Sequence, residues 1–411
     1  MWVKGTKGSR VTDAALTAES ISQPHTHVPQ APHPGEKLLH LMLRGRWVSE
    51  ALEDARALAA QNGVDWDGLL QAARTGGVSP LVYEAVRGQE WVPAALKDDL
   101  RMDYYGVART NLLRFHRLEE VLRRLADAGI DVILLKGAAL AEAVYNNLAL
   151  RPMGDFDLLV HEADVEGALD VLIASGYQRP YGEFRPGFIR AFRNQIMMSK
   201  AGDAETRPIE IHWRLLAPLH YQRAIPSDWL WQTACPARLG AAPVRILSPE
   251  AQVLHLSGHL LQHGGSEKAN ARQLYDLAEV IVLYQAHIDW DAVLARAQAY
   301  DLVLPLQEAL TRAHELWCLP LPPEVWERLQ RLEPSSGEQR AYALLAGRER
   351  VARKLWGGLA SIPGWGARLR YVWGNLFPSA AYMRGQYRIS NRLLLPLYYP
   401  YRWLRGLRRT G

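Results

Sequence analysis

Asp155 and Asp157 sit one residue apart in the run "LRPMGDFDLLV", residues 150–160, where a Pro and a Gly lead into an apolar stretch. Alternate side chains of a strand share a face, so both carboxylates point one way and Phe156 the other. Carboxylates held that close repel each other unless positive charge lies between them. A divalent cation is the natural partner. Magnesium takes one or two protein carboxylates, keeps several waters and accepts phosphate oxygens of a nucleotide. Glu210 lies in the apolar run "RPIEIHWRL" with His212 on its own face, and it offers a third carboxylate from a later strand. Such a set can hold two magnesium ions, one activating an attacking hydroxyl and one neutralising a triphosphate. That is nucleotidyl-transfer chemistry.

The triphosphate also needs a seat. Lys136 and Gly137 fall at an expected strand-to-helix junction, where a glycine lets the backbone approach a phosphate and a helix N-terminus favours negative charge. Lys136 adds a mobile positive charge there and Arg151 another just before the aspartates.

These residues require a framework, and the periodicities supply one. Residues 111–129 read as an amphipathic helix stopped by Gly129, 130–137 as a buried strand, and 138–147 as a helix. A second strand covers 155–160 and a helix 164–176, and two more strands, 194–200 and 208–215, are joined by a polar turn at 201–207. Upstream, 36–47 and 49–61 have helical spacing. Two similar phrases, 64–86 and 288–310, each place an Asp before a Trp at a helix start and reach a Pro that opens another helix, as two similar helical hairpins would. After Pro249 the pattern is almost wholly helical. The fold class expected is α+β, with a mixed-sheet core, a helical N-terminal lobe and a helical C-terminal domain.

The segments "LLKGAALAEAVY", "LRPMGDFDLLV", "SGY" and "EIHWRL" together resemble the uncharacterised nucleotidyltransferase family of the polymerase-beta-like superfamily, over about residues 37 to 330. The resemblance implies a nucleotidyltransferase core with metal on Asp155, Asp157 and Glu210, and phosphate held by Lys136, Gly137 and Arg151. It implies two magnesium ions, a nucleoside triphosphate donor such as ATP, and a small molecule or peptide as acceptor. In the superfamily pattern the turn glycine is followed by Ser or Gly; here Ala138 follows Gly137, and Lys136 stands in for the missing hydroxyl. The alternative from another class is a catalytically silent, nucleotide-binding scaffold in a biosynthetic complex.

Past the core, His255, His259 and His263 recur along one helical face. They are either a metal stripe or histidines hydrogen-bonded in an interdomain cleft, and the lack of a Glu or Cys at ligand spacing favours the cleft. Arg272 and Asp276, also four apart, are either a surface ion pair or, with Asp276 facing the cleft, a base that orients or deprotonates the acceptor hydroxyl. The divisions expected are a disordered tail (1–36), an N-terminal lobe (37–110), the catalytic core (111–225), a helical substrate domain (226–335) and a linker with a C-terminal extension (336–411).

The chain has 411 residues, 48% of them hydrophobic, which is ample for a core. Its two cysteines, Cys235 and Cys318, have neither disulfide nor metal-ligand spacing. No signal-like apolar segment and no run of about 18 apolar residues occurs, so a cytoplasmic protein is expected. His25, His27 and His33 in the proline-rich tail read as solvated. From Gly366 to Gly411 there are nine Arg and no acidic residue, while the remainder carries 39 basic and 43 acidic residues. That balance argues against a specific nucleic-acid partner. The basic tail, interleaved with Tyr and Trp, suits either peripheral contact with an anionic membrane or aromatic packing on the helical domain.

Overall fold

The computed structural model describes residues 34–61, 63–200, 207–261, 271–346 and 358–408. The expected tail up to residue 33 with its three histidines, the turn at 201–206, and His263 lie outside the described residues.

Four helices open the fold: α1 (Pro34–Arg44), α2 (Glu50–Ala59), α3 (Trp66–Thr75) and α4 (Ser79–Val86). Asp65 caps α3 by accepting from the Gly68 amide at 2.8 Å, the role its place before Trp66 implies. Helix α5 (Ala94–Asp127) then runs 34 residues without a break and crosses the expected boundary at 110/111. Its first half buries Leu96 and Leu100 among the N-terminal helices, and its second half buries Phe115, Leu118, Val121, Leu122 and Leu125 against the sheet. One rigid rod therefore belongs to both layers.

The sheet has six strands in the order β3-β4-β2-β1-β6-β5: β1 (Ile133–Leu135), β2 (Phe156–Leu159), β3 (Gln195–Met198), β4 (Ile209–His212), β5 (Cys235–Leu239) and β6 (Ala242–Ile246). Strand β2 runs antiparallel to β1 and parallel to β4, and β6 runs parallel to β1. This is the mixed sheet of an α+β protein. The β5–β6 hairpin lies beyond residue 225, in the stretch expected to be helical, so the sheet extends past the expected core boundary. Between strands come α6 (Lys136–Ala143), α7 (Val165–Ala174), α8 (Phe188–Phe192), α9 (Leu219–Ala224) and α10 (Ser227–Thr233).

The two faces of the sheet differ as strand alternation requires. Leu134, Phe156, Leu158, Ile196, Met198, Ile209 and Ile211 face α5 and α7 in one apolar cluster. Ile133, Leu135 and Leu159 face the other way and join the core of the helical segments. Asp157, Glu210 and His212 lie on that second face, by alternation along β2 and β4.

The helical segments continue with α11 (Pro249–Leu260), α12 (Ala271–Tyr284), α13 (Trp290–Ala299), α14 (Val303–Trp317), α15 (Pro323–Arg331) and α16 (Ser336–Ala346). Asp289 caps α13 by accepting from Ala292 N at 2.9 Å, repeating the arrangement at Asp65. Helices α17 (Trp365–Leu376), α18 (Ala380–Tyr387) and α19 (Leu395–Arg408) close the described chain. No helix among the described residues is long and apolar enough to cross a membrane.

Candidate metal and nucleotide site

The parallel pairing of β2 with β4 sets Asp157 directly opposite Glu210. His212 follows two residues on, and the ligating atoms of Asp157, Glu210 and His212 lie within 4.8 Å of one another. His212 Nε2 is 2.9 Å from Asp157 Oδ1 and 3.6 Å from Glu210 Oε2. From the edge strand, Gln195 donates to Glu210, and Asn194 Nδ2 lies 3.3 Å from His212 Nδ1. With the Asn194 amide donating, Nδ1 accepts and the proton sits on Nε2, aimed at the carboxylates.

Lys136 closes the cluster: its Nζ is 2.7 Å from Asp157 Oδ1 and 3.3 Å from His259 Nε2. It starts α6 with a left-handed backbone, φ 44°, a conformation that costs a non-glycine residue about 1–3 kcal/mol and persists only where the surroundings enforce it. Burial opposes ionisation of Asp157, but the Lys136 ammonium and the His212 hydrogen bond outweigh it and hold the carboxyl far below the usual carboxylate range. Burial likewise opposes protonation of His212, and its hydrogen bonds to Asp157 and Glu210 more than offset that, raising the imidazole above its ordinary value.

Asp155 does not join the group of three. It precedes the first residue of β2 and is exposed, whereas Asp157 is buried. Its carboxyl is raised, first by partial loss of hydration and next by the charge on Asp157, with Glu210 adding to it. Asp155 thus stands beside a concentration of negative charge. His212, noted in the sequence only as sharing the face of Glu210, takes the third place.

Arg151 and Asp276 meet each other instead of a substrate. Arg151 Nε and Nη2 reach the two carboxylate oxygens at 3.0 and 2.7 Å, and Tyr145 donates to Oδ1 at 2.9 Å. Both ends of the pair are buried, Asp276 to 2% exposure. The expected acceptor-base role of Asp276 competes with this pairing, which occupies both carboxylate oxygens in the structure. The guanidinium of Arg151, expected at a phosphate, is likewise engaged by Asp276. Gly137 is explained as well: a Cβ there would lie 2.6 Å from Arg151 Nη1, so the missing side chain makes room for the guanidinium. Arg272 does not pair with Asp276. Its Nη1 donates to Pro152 O at 3.2 Å, and its buried Nε has no partner among the described residues.

Helix α11 covers the site from the helical side. His259 contacts Lys136, and His255 is buried with Nε2 unpartnered among the described residues. Burial, and next to it the Lys136 charge, pushes the His255 imidazole down to about 3 and keeps it neutral. The two histidines are therefore cleft residues packed behind Lys136.

Sequence reasoning missed the residues that brace the loop before β2. Asn111, fully buried on α5, donates to Leu148 O and Arg151 O at 2.7 and 2.9 Å, and Arg114 Nη1 donates to Met153 O at 2.9 Å. The one available signal was a polar residue interrupting the apolar stripe of α5 at Asn111.

A family model described as "uncharacterised nucleotidyltransferase" matches residues 62–317. A search of curated proteins gives no match. The matched span is more than half of the chain and contains every residue of the site, so the chain belongs to this family and is a nucleotidyltransferase.

Proposed function

We propose that the chain transfers a nucleoside monophosphate from a nucleoside triphosphate, with ATP the first donor to test, to a hydroxyl of a small molecule or peptide, and that it does so with magnesium. The observation that carries this reading is the in-register placement of Asp157 beside Glu210, with His212 on the same face. The donor set fits a hard divalent cation: two carboxylates close together, one of them held ionised in a buried place, with Asp155 alongside. Asp155, Asp157 and Glu210 are the residues that would hold the metal. When bound, it supplies charge neutralisation at the phosphates and lowers the pKa of an attacking hydroxyl.

The remaining work falls to the chain. Gln195 and His212 fix the rotamers of Glu210 and Asp157, so the carboxylates are in position before substrate arrives. Lys136 balances Asp157 in the structure and is the cation placed to turn to a phosphate oxygen once the carboxylates are otherwise neutralised. Arg272, with a buried Nε that has no partner among the described residues and Nη1 on Pro152 O, is the second basic group to test for a phosphate role. A silent scaffold gains nothing from holding like charges together at this cost.

The test is label transfer. ATP labelled at the α-phosphate, incubated with the protein, magnesium and a metabolite or peptide extract, should yield a labelled product that vanishes with EDTA and with Asp157→Asn/Glu210→Gln. Transfer of a γ-label instead makes the enzyme a phosphotransferase, and no transfer together with unchanged nucleotide binding by the double variant sinks the metal assignment.

A further inference from the structure

The C-terminal helices have one face that packs and one that does not. On α17, Tyr371 and Gly374 are buried, and a Cβ on Gly374 would lie 2.3 Å from the Phe188 ring. Tyr371 stacks on Phe188 with centroids 6.1 Å apart. On α19, Tyr399 donates to Pro378 O and Trp403 to Leu376 O, each at 2.9 Å. Part of the tail's aromatic content therefore anchors it to the protein. The opposite faces carry Trp365, Leu369 and Trp373 on α17, and Leu397, Tyr401 and Leu404 on α19, all exposed, with Trp365 at 77% and Leu397 at 67%. Each trio follows helical spacing, and the two helices meet where Trp403 bonds to Leu376. An unpartnered apolar surface of this kind marks an interaction site.

Its charge identifies the partner. Arg370, Arg388, Arg392 and Arg405 are exposed, and none has an ion-pair partner among the described residues. No Asp or Glu occurs after residue 366. By helical spacing Arg405 borders the apolar face of α19, whereas the Arg370 guanidinium turns to the packed side, 5.2 Å from the centroid of the Phe192 ring. A second copy would set the same arginine-rimmed surface against itself, and like charges across an interface oppose association. Tryptophan, tyrosine and leucine at the centre with arginine at the rim match the boundary between acyl chains and anionic headgroups.

We propose that the outer faces of α17 and α19 are a docking surface for an anionic lipid bilayer, with the apolar side chains at the headgroup–acyl boundary and the arginines on lipid phosphates. The contact is peripheral, since neither helix is long and apolar enough to span.

The experiment uses the full chain and vesicles of phosphatidylcholine with or without about one third phosphatidylglycerol. Sedimentation with the mixed vesicles at low salt, loss with pure phosphatidylcholine, and loss at high salt are expected. The variant Leu369→Gln/Leu397→Gln/Leu404→Gln alters only exposed positions and should keep the native melt while binding about tenfold or more weakly. Arg392→Gln/Arg405→Gln should weaken binding and its salt dependence together. Equal binding to neutral vesicles, no binding by the native chain, or binding indifferent to both variants overturns the proposal. So does a concentration-dependent dimer that the Leu→Gln variant abolishes, which would make a second copy the occupant.

Discussion

With Lys136 Nζ and His212 Nε2 on the same oxygen, Asp157 is charged in a place where burial alone would protonate it. Lys136 therefore competes for the position that a cation on Asp157 needs. Lys136→Met should bind Mn2+ in the absence of nucleotide more tightly than the native protein, by about tenfold or more, and bind ATP more weakly. Manganese EPR and calorimetry read the two effects separately. Weaker Mn2+ binding by this variant would mean that Lys136 organises the carboxylates rather than competing for them. Asp157→Asn should lose metal-dependent turnover by at least about a hundredfold and destabilise the fold by about 3 kcal/mol, because the Lys136 ammonium is left without its carboxylate. At this scale much of the site was legible. Alternation paired Asp157 with Asp155 on one strand and Glu210 with His212 on another, and the Lys-Gly junction marked Lys136 as a phosphate cation. The pairing of β2 with β4 is what brings Asp157, Glu210 and His212 together, with Lys136 on Asp157. The sequence could not show that Asp155 would precede β2 and stand exposed while Asp157 is buried beside it. Nor could it show that Arg151 would spend its charge on a residue 125 positions away.

Elements were legible where a local rule dictated them and obscure where pairing decided. The Asp-Trp starts at residues 65–66 and 289–290 are side-chain caps in the structure because the rule is confined to one helical turn. The β5–β6 hairpin was not seen because Pro236 and Pro243 speak against strands. Both are tolerated for positional reasons. Pro236 lies on the edge strand, and Pro243 lies ahead of the only residues of β6 that pair with β1, Arg245 and Ile246. Glu338 supplies a prediction at this scale. From α16 it accepts from Leu304 N at 2.7 Å, in the first turn of α14, and it is fully buried. Burial pushes its carboxyl up to about 7, with the backbone hydrogen bonds pulling the other way. The folded state therefore holds this proton through a pH range in which the unfolded chain has lost it. Stability from this group is present below about pH 4.5 and is lost as pH rises toward 7, by about 1–3 kcal/mol. Glu338→Gln keeps the acceptor for Leu304 and cannot ionise, so its denaturation midpoint should be flatter between pH 4.5 and 7.5 than that of the native protein. A slope identical to the native one would assign the pH dependence elsewhere.

Across the whole molecule, helix α12 binds the parts together with two carboxylates set three residues apart. Glu279 takes the N-terminal lobe, accepting from Arg46 Nη1 at 3.1 Å and Trp47 Nε1 at 2.8 Å. Asp276 takes the loop that leads into β2, through Arg151 and Tyr145. Asn111 on α5 grips the same loop from the opposite layer. Strand β2 is thus held from two sides, and small shifts in either helix would reach Asp157. Asp276 on this view acts through Arg151 and never on substrate, which separates two outcomes. Asp276→Asn strands the Arg151 guanidinium in a buried place and should cost about 3–5 kcal/mol. Arg151→Met/Asp276→Leu removes both charges and should recover most of that loss, giving a coupling of at least about 2 kcal/mol in a double-mutant cycle. Because Asp157, Glu210 and His212 are untouched, the refolded double variant should also retain Mn2+ binding. Denaturant unfolding and manganese titration measure the two halves of the argument. Native stability of Asp276→Asn with turnover abolished would overturn it and restore Asp276 as the base for the acceptor.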